Sequence, residues 1–541
     1  MKNWVQKATF YHIYPLGFCG APRFHQEEIQ HSIIKVKEWI PHMLALHCNA
    51  LYLGPVFESY EHGYDTSDYQ ILDKRLGTND DFKEVCEALH KEGIHVVLDG
   101  VFNHVGRYFW AFQDVQKYGP QSQYCDWFCN LNFQSGNCEG DNFTYEAWEN
   151  HYNLVKLNLK NEDVIAYLLS CIGKWMDEFH IDGIRLDAAD CIDKNFFKRL
   201  KKFCKEKNPE FWLMGEIIHG DYNYWANDEM LDSVTNYECY KGLYSSHNEK
   251  NYFEIAHSLQ RQFGVGGIYS NLTLYNFVDN HDVNRLASTL KDQKDLTNIY
   301  TLLYTMPGIP SIYYGSEWAL TGKKHDGSDA DIRPCINLNE MPDHALYQHL
   351  CVLGKIKEEN DALSLGTYEQ VCVRNEQFIF KRKNEQEEIT IAMNVSNEAY
   401  SYSLQTRYDC VYDALTNTQY LSKHGEIELL LAPKSSYILL PSKNASKQTQ
   451  IAHEEIKRQT PIKTPTIHVE DTELPLGRYQ HFKGKHYSLL YVAKHSETLE
   501  KYVVYRQLYG DGSVWIRPLS MFLEQVEING QQVPRFSYLG K

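Results

Sequence analysis

The sequence lacks any apolar run long enough to cross a membrane. It also lacks a basic head leading into an apolar signal core, since Met1 to Ala8 is polar apart from Trp4 and Val5. A cytoplasmic protein without a membrane partner is expected. Positive charge is in deficit: 54 Lys plus Arg stand against 71 Asp plus Glu, a net charge of −17. That argues against nucleic acid or an anionic membrane as the main partner and suits a neutral substrate. Paired histidines on one helix face are missing, and Cys125, Cys129 and Cys138 share a loop without fitting a zinc pattern. The fourteen cysteines, with no export signal, are expected to be reduced thiols.

What is present points to a globular enzyme. A 43% apolar and 23% charged composition is globular, and 541 residues exceed one ordinary core. The 39 Tyr and 10 Trp serve mostly as packing, and together suit a cleft that stacks on sugar rings. Eight short apolar segments read as strands, at 11–14, 50–53, 95–98, 183–186, 211–214, 233–235, 274–278 and 310–313. Helix-period stretches separate most of them. In 79–91, Phe82, Val85 and Leu89 share a face, Asn79 can cap the start and Gly93 ends it; 162–179 is another.

The expected fold class is therefore α/β, a (β/α)8 TIM barrel over residues 1–360. A loop subdomain, 104–157, leaves it after the third strand and walls one side of the mouth. Beyond it, 361–442 reads as an antiparallel β-sandwich domain, 443–466 as a linker with Pro461 and Pro465, and 467–541 as a small SH3-like β domain.

Acids close the strands. Asp99 ends the third, Asp187 the fourth and Glu216 the fifth, and Asp279, His281 and Asp282 follow the seventh. In such a barrel the strand C-termini share one face, and that face carries chemistry. A lone acid after a strand is commonly a helix cap, but four in register with Arg185, His104 and His281 form a site. Arg185 and Asp187, two apart on a strand, both point inward, so the guanidinium can hold the carboxylate ionised and oriented. Acids without a Cys or Lys nucleophile suit glycoside hydrolysis, which needs one carboxylate as nucleophile and another as general acid.

The segments Asp99-Gly-Val-Phe-Asn103-His104, Gly183-Ile-Arg185-Leu-Asp187, Gly215-Glu216 and Phe277-Val-Asp-Asn-His281-Asp282 resemble the four signature regions of the α-amylase family, glycoside hydrolase family 13. The resemblance spans roughly residues 4 to 440. Leu154-Val155-Lys156-Leu157-Asn158 is similar to its fifth region in neopullulanase-like form. The resemblance implies that Asp187 is the nucleophile, Glu216 the acid/base and Asp282 the transition-state stabiliser. It implies that Tyr64, in His62-Gly63-Tyr64-Asp65, stacks beneath the sugar, and that Asp99, His104, Arg185, His281 and Arg333 bind it. Retention is implied, with the two carboxyls about 5–5.5 Å apart. No cofactor is required; Asn103 stands where many members hold a structural calcium. Two positions depart from the pattern: Asp190-Cys191 replaces Lys-His, and Ile218 replaces Trp.

The implied activity is hydrolysis of α-1,4 bonds in maltooligosaccharides. A 4-α-glucanotransferase would use the same intermediate, Ala188 favours 1,4 over 1,6 linkages, and a catalytically silent glycan-binding protein is disfavoured because all three acids are intact. No dimerising N-terminal domain precedes the first strand, so a monomer is expected. The tail, with Gly477-Arg-Tyr-Gln-His481 and Trp515-Ile-Arg517-Pro518, resembles a small bacterial domain of unknown function. Its His481, Lys483, Arg506 and Arg517 among aromatics suit a small anionic or sugar ligand; a solvated surface is the bland alternative.

Overall fold

Side chains alternate in and out along eight short parallel strands, and that alternation builds the barrel. The computed structural model describes residues 4–325, 327–442, 474–494, 500–510, 512–528 and 531–540. The strands are β1 (Phe10–Ile13), β2 (Ala50–Leu53), β3 (His95–Gly100), β4 (Gly183–Leu186), β5 (Trp212–Gly215), β6 (Ser233–Val234), β7 (Tyr275–Asn276) and β8 (Ile309–Tyr313). Their order is β6-β5-β4-β3-β2-β1-β8-β7, and a parallel bridge between Thr235 and Tyr275 joins the two ends. The expected barrel is thus present and closed.

Tyr11, Ile13, Leu51, Leu53, Val96, Leu98, Ile184 and Leu186 pack in the large core shared with the helices. Their neighbours Phe10, Ala50, Tyr52, Val97, Trp212 and Met214 fill the interior. The barrel is therefore packed, and only its carboxyl end can hold a ligand.

The expected helix over 79–91 runs Asn79–Lys91, but its cap is Thr78 rather than Asn79. Thr78 Oγ1 accepts from the Asp81 backbone N–H at 3.2 Å, and the Asp81 carboxylate accepts from the Thr78 N–H at 2.8 Å. Asn79 Oδ1 instead accepts from the Leu72 N–H. The second helix is Glu162–Glu178, capped by Asn161. The excursion after β3 opens and closes on one ribbon, His104–Gly106 antiparallel to Leu154–Lys156. Phe112, Phe128, Phe143 and Tyr145 pack inside it.

Eight antiparallel strands follow between Thr367 and Pro441, in a six-stranded and a two-stranded sheet. Leu404, Ile427 and Leu429 of one pack against Ile379, Val411 and Leu439 of the other, which makes the expected sandwich. The linker expected at 443–466 lies outside the described residues. The second compact unit holds a five-stranded antiparallel sheet in the order Val514–Pro518, Lys501–Gln507, His486–Lys494, Gly477–His481, Phe536–Gly540. Tyr479, Leu489, Val503, Tyr505, Phe522 and Phe536 form its core.

Candidate active site

The ladder of β3, β4 and β5 runs on past the strand ends. The Asp187 N–H donates to Gly100 O at 3.1 Å, and the Glu216 N–H donates to Leu186 O at 2.9 Å. Both acids therefore leave fixed backbone, at the end of the barrel where side chains can reach a ligand. Asp99 and Arg185 are direct neighbours across β3 and β4, both facing inward.

Arg185 is the hub. Its Nη1 lies 2.9 Å from Asp99 Oδ1 and 2.9 Å from Asp187 Oδ1, and its Nη2 lies 2.8 Å from Glu216 Oε1. One planar fork thus fixes three carboxylates from three strands. Burial, together with Glu216, Asp99 and Asp282, pushes the Asp187 carboxyl well above its usual range, and Arg185 opposes the push. Ala188, the residue after Asp187, has φ +43°, and its N–H donates to Glu216 Oε2 at 3.3 Å.

Asp282 stands at the mouth, its side chain 32% exposed against 11% for Asp187 and 12% for Glu216. Its Oδ2 is 2.9 Å from His281 Nε2, and Arg333 Nη2 donates to its Oδ1 at 3.0 Å. Burial works against its charge, but His281, Arg333 and Arg185 outweigh that and hold the carboxyl well below its usual range. Arg333 also donates to His281 O at 2.9 Å and lies 4.5 Å over the Tyr14 ring.

Tyr64 is half-buried; its hydroxyl donates to Asp99 Oδ2 at 3.1 Å and touches His281 Nε2. Gly63 before it has φ +87°, a conformation the turn needs, and Asp65 accepts the N–H groups of Tyr60, Glu61 and His62. Burial drops His104 to about 3, so it is a neutral imidazole. Its Nε2 is buried without a partner, 4.0 Å from Asp187 Oδ2, and its ring is 5.6 Å from Trp148 of the subdomain. The subdomain thus brings one indole to the edge of the site.

The structure brings together Asp187, Glu216, Asp282, Tyr64, His104, Arg185, His281 and Arg333. One candidate is corrected. Asp99 was expected to bind sugar, but it is 2% exposed and its oxygens are taken by Arg185, Tyr52 and Tyr64. It positions Arg185 and Tyr64 from below. Asn103 is buried with Oδ1 unpartnered, yet its cavity, about 450 Å³, also contains the Lys156 ammonium, 2.6 Å from Glu146. No group of three metal-ligating side chains forms among the described residues. Asp279 accepts from the Leu286 N–H and Ser316 Oγ, so it is the structural acid of the set.

Sequence reasoning missed Tyr237 and Asn280. Tyr237 donates from its hydroxyl to Glu216 Oε1 at 3.2 Å and accepts from Asn280 Nδ2 at 3.2 Å. Asn280 Oδ1 accepts from the Asp282 N–H at 2.8 Å, so a short chain links Glu216 to Asp282. Asn280 sits inside a quoted motif and could have been found; nothing local marks Tyr237.

Comparison with known proteins agrees with this geometry. The model of the alpha amylase catalytic domain matches residues 35–345, and that of a protein of unknown function (DUF1653) matches residues 477–538. A maltogenic alpha-amylase of Bacillus acidopullulyticus is 30% identical over 74% of this chain and 72% of its own. A cyclomaltodextrinase of a Bacillus species is 29% identical over 72% and 73%. The solved structure of a cyclomaltodextrinase superposes with a TM-score of 0.72 at 26% identity, covering 81% of this chain and 78% of its own. The chain belongs to the alpha-amylase family and is a glycoside hydrolase.

Proposed function

We propose that this enzyme cleaves α-1,4 bonds of short maltodextrins with retention, by two displacements at one anomeric carbon. The observation that carries the reading is the single Arg185 guanidinium shared by Asp187 and Glu216. It keeps the two carboxyls close, with Asp187 placed as nucleophile and Glu216 as acid.

Glu216 gives its proton to the glycosidic oxygen while a carboxylate oxygen of Asp187 attacks C1. The C1–O bond breaks, the shortened chain leaves as an alcohol, and an ester joins C1 to Asp187. Water then yields a proton to Glu216 as its oxygen displaces Asp187. Asp282, held ionised by His281 and Arg333, stabilises the cationic character at C1 and the ring oxygen. His104 Nε2 and His281 supply hydrogen bonds to ring hydroxyls, and Tyr64 carries the sugar face. The names of the relatives, cyclomaltodextrinase and maltogenic amylase, support an α-glucan substrate.

Maltose, maltotriose, isomaltose, pullulan and cyclodextrin, each incubated with enzyme and followed by product chromatography and proton NMR, test this. Shorter α-anomeric products from maltotriose and cyclodextrin are expected. Chains longer than the substrate would replace hydrolysis by glucanosyl transfer.

A further inference from the structure

In the small C-terminal unit, positive charge gathers at the margin of the sheet face that carries its core. Successive residues of a strand face opposite ways, so Tyr479 and His481 share a face. The pairings Tyr479 with Tyr487, His481 with Phe536 and Val503 with Arg517 place those partners on that same face. Tyr479, Val503, Tyr505 and Phe536 on it are buried core. Arg517 is thus a half-buried cation on an apolar face: its Nε donates to the Tyr505 hydroxyl at 3.2 Å, and its guanidinium lies 5.8 Å from the Phe536 ring centroid.

His481 stands beside it. Its Nδ1 accepts from the Lys483 N–H at 3.3 Å, which fixes the tautomer with hydrogen on Nε2, a donor without a partner among the described residues. His481 and Arg517 both lie against the Phe536 ring, at 4.8 and 5.8 Å from its centroid, and burial, then Arg535, Arg517 and Lys483, lowers the His481 pKa. Glu524 pairs with Arg535, at 2.6 Å. Among the described residues no carboxylate reaches Arg517 or Lys483. Arg517, packed against an apolar face with no carboxylate partner among the described residues, is a cation that an anion would complete.

We propose that this face is a binding site for the phosphate group of a small phosphomonoester. The Arg517 fork would accept two phosphate oxygens, His481 Nε2–H a third, and Lys483 would add charge at the rim. Residues 474–541 carry nine Lys plus Arg against five Asp plus Glu, so charge alone does not choose the anion; one guanidinium fork, one imidazole N–H and one ammonium match a single phosphate group. The structure also revises the sequence reading of this cluster. Arg506 follows Tyr505 on its strand and so faces the other side, and Arg535 takes its place.

Calorimetric titration of the full-length enzyme at fixed ionic strength tests the site. The probes are inorganic phosphate, a hexose phosphate and a mononucleoside monophosphate, with chloride and a single-stranded RNA as comparators. Phosphate-bearing probes should bind with Kd below about 1 mM. Arg517→Ala and His481→Asn should each weaken binding at least about tenfold, and Arg506→Ala should not; the milder Arg517→Lys, checked by circular dichroism, guards against simple unfolding. Tighter binding of an ester than of free phosphate identifies the ester as the ligand; equal binding leaves the phosphate group alone as the recognised element. No binding by any phosphate probe, tighter binding of RNA, or binding indifferent to Arg517 and His481 would overturn the proposal.

Discussion

Arg185 Nη2 lies 2.8 Å from Glu216 Oε1, and this one contact ties the acid of β5 to a guanidinium rooted in β4. Because the same side chain also holds Asp99 and Asp187, its loss leaves three buried carboxylates facing one another. Arg185→Ala should lower kcat/KM at least about a thousandfold and cost about 3–5 kcal/mol of folding stability in urea melts at pH 7. Stability within 1 kcal/mol of the parent, on the order of a surface change, would show that the cluster does not depend on it.

Tyr237 donates from its hydroxyl to Glu216 Oε1 and accepts from Asn280. Tyr237→Phe removes that bond and loosens the placement of the Glu216 carboxyl, so kcat should fall by about tenfold with KM little changed. A raised KM with unchanged kcat would assign the tyrosine to substrate instead.

Asp187 carries a cost that the fold bears for chemistry. Its pKa in the folded protein is raised by burial and by the neighbouring acids, so the folded state binds more protons than the unfolded one above about pH 4. The sign follows: this residue's contribution to stability falls as pH rises through that window. Asp187→Asn should then be inactive yet more stable at pH 7 by about 0.5–2 kcal/mol, with the gain vanishing toward pH 4. Denaturant melts of both proteins from pH 4 to 8 measure it.

Lys156 paired with Glu146 beside Asn103 places a cation where the resemblance would put a metal. Exhaustive treatment with a calcium chelator should leave Tm and activity unchanged. A fall in Tm restored by added calcium would contradict that.

Much of this was legible in the sequence, for physical reasons. All eight barrel strands were found because each is a short apolar segment and most are set off by helix-period stretches, as 95–98 is by the helix Asn79–Lys91 before it. The acids were found because a carboxylate ending an apolar strand is an unusual pattern. The rest is tertiary. Asp99 looks like Asp187 in sequence, and only the register of β3 against β4 sets it beneath Arg185. Tyr237 lies 21 residues from Glu216, and packing alone brings it there. Thr78 and Asn79 are both good caps, and the reciprocal bond from Asp81 decides between them. In the tail, Arg506 and Arg517 are alike in type, and strand alternation separates them.

The central claim is a covalent bond between Asp187 and sugar. Glu216→Gln enzyme should be mixed with α-maltosyl fluoride, whose leaving group needs no acid, then quenched and digested for peptide mass spectrometry. The account predicts a glycosyl ester on the peptide containing Asp187. Turnover of the fluoride that releases β-maltose, with no labelled peptide, would contradict it.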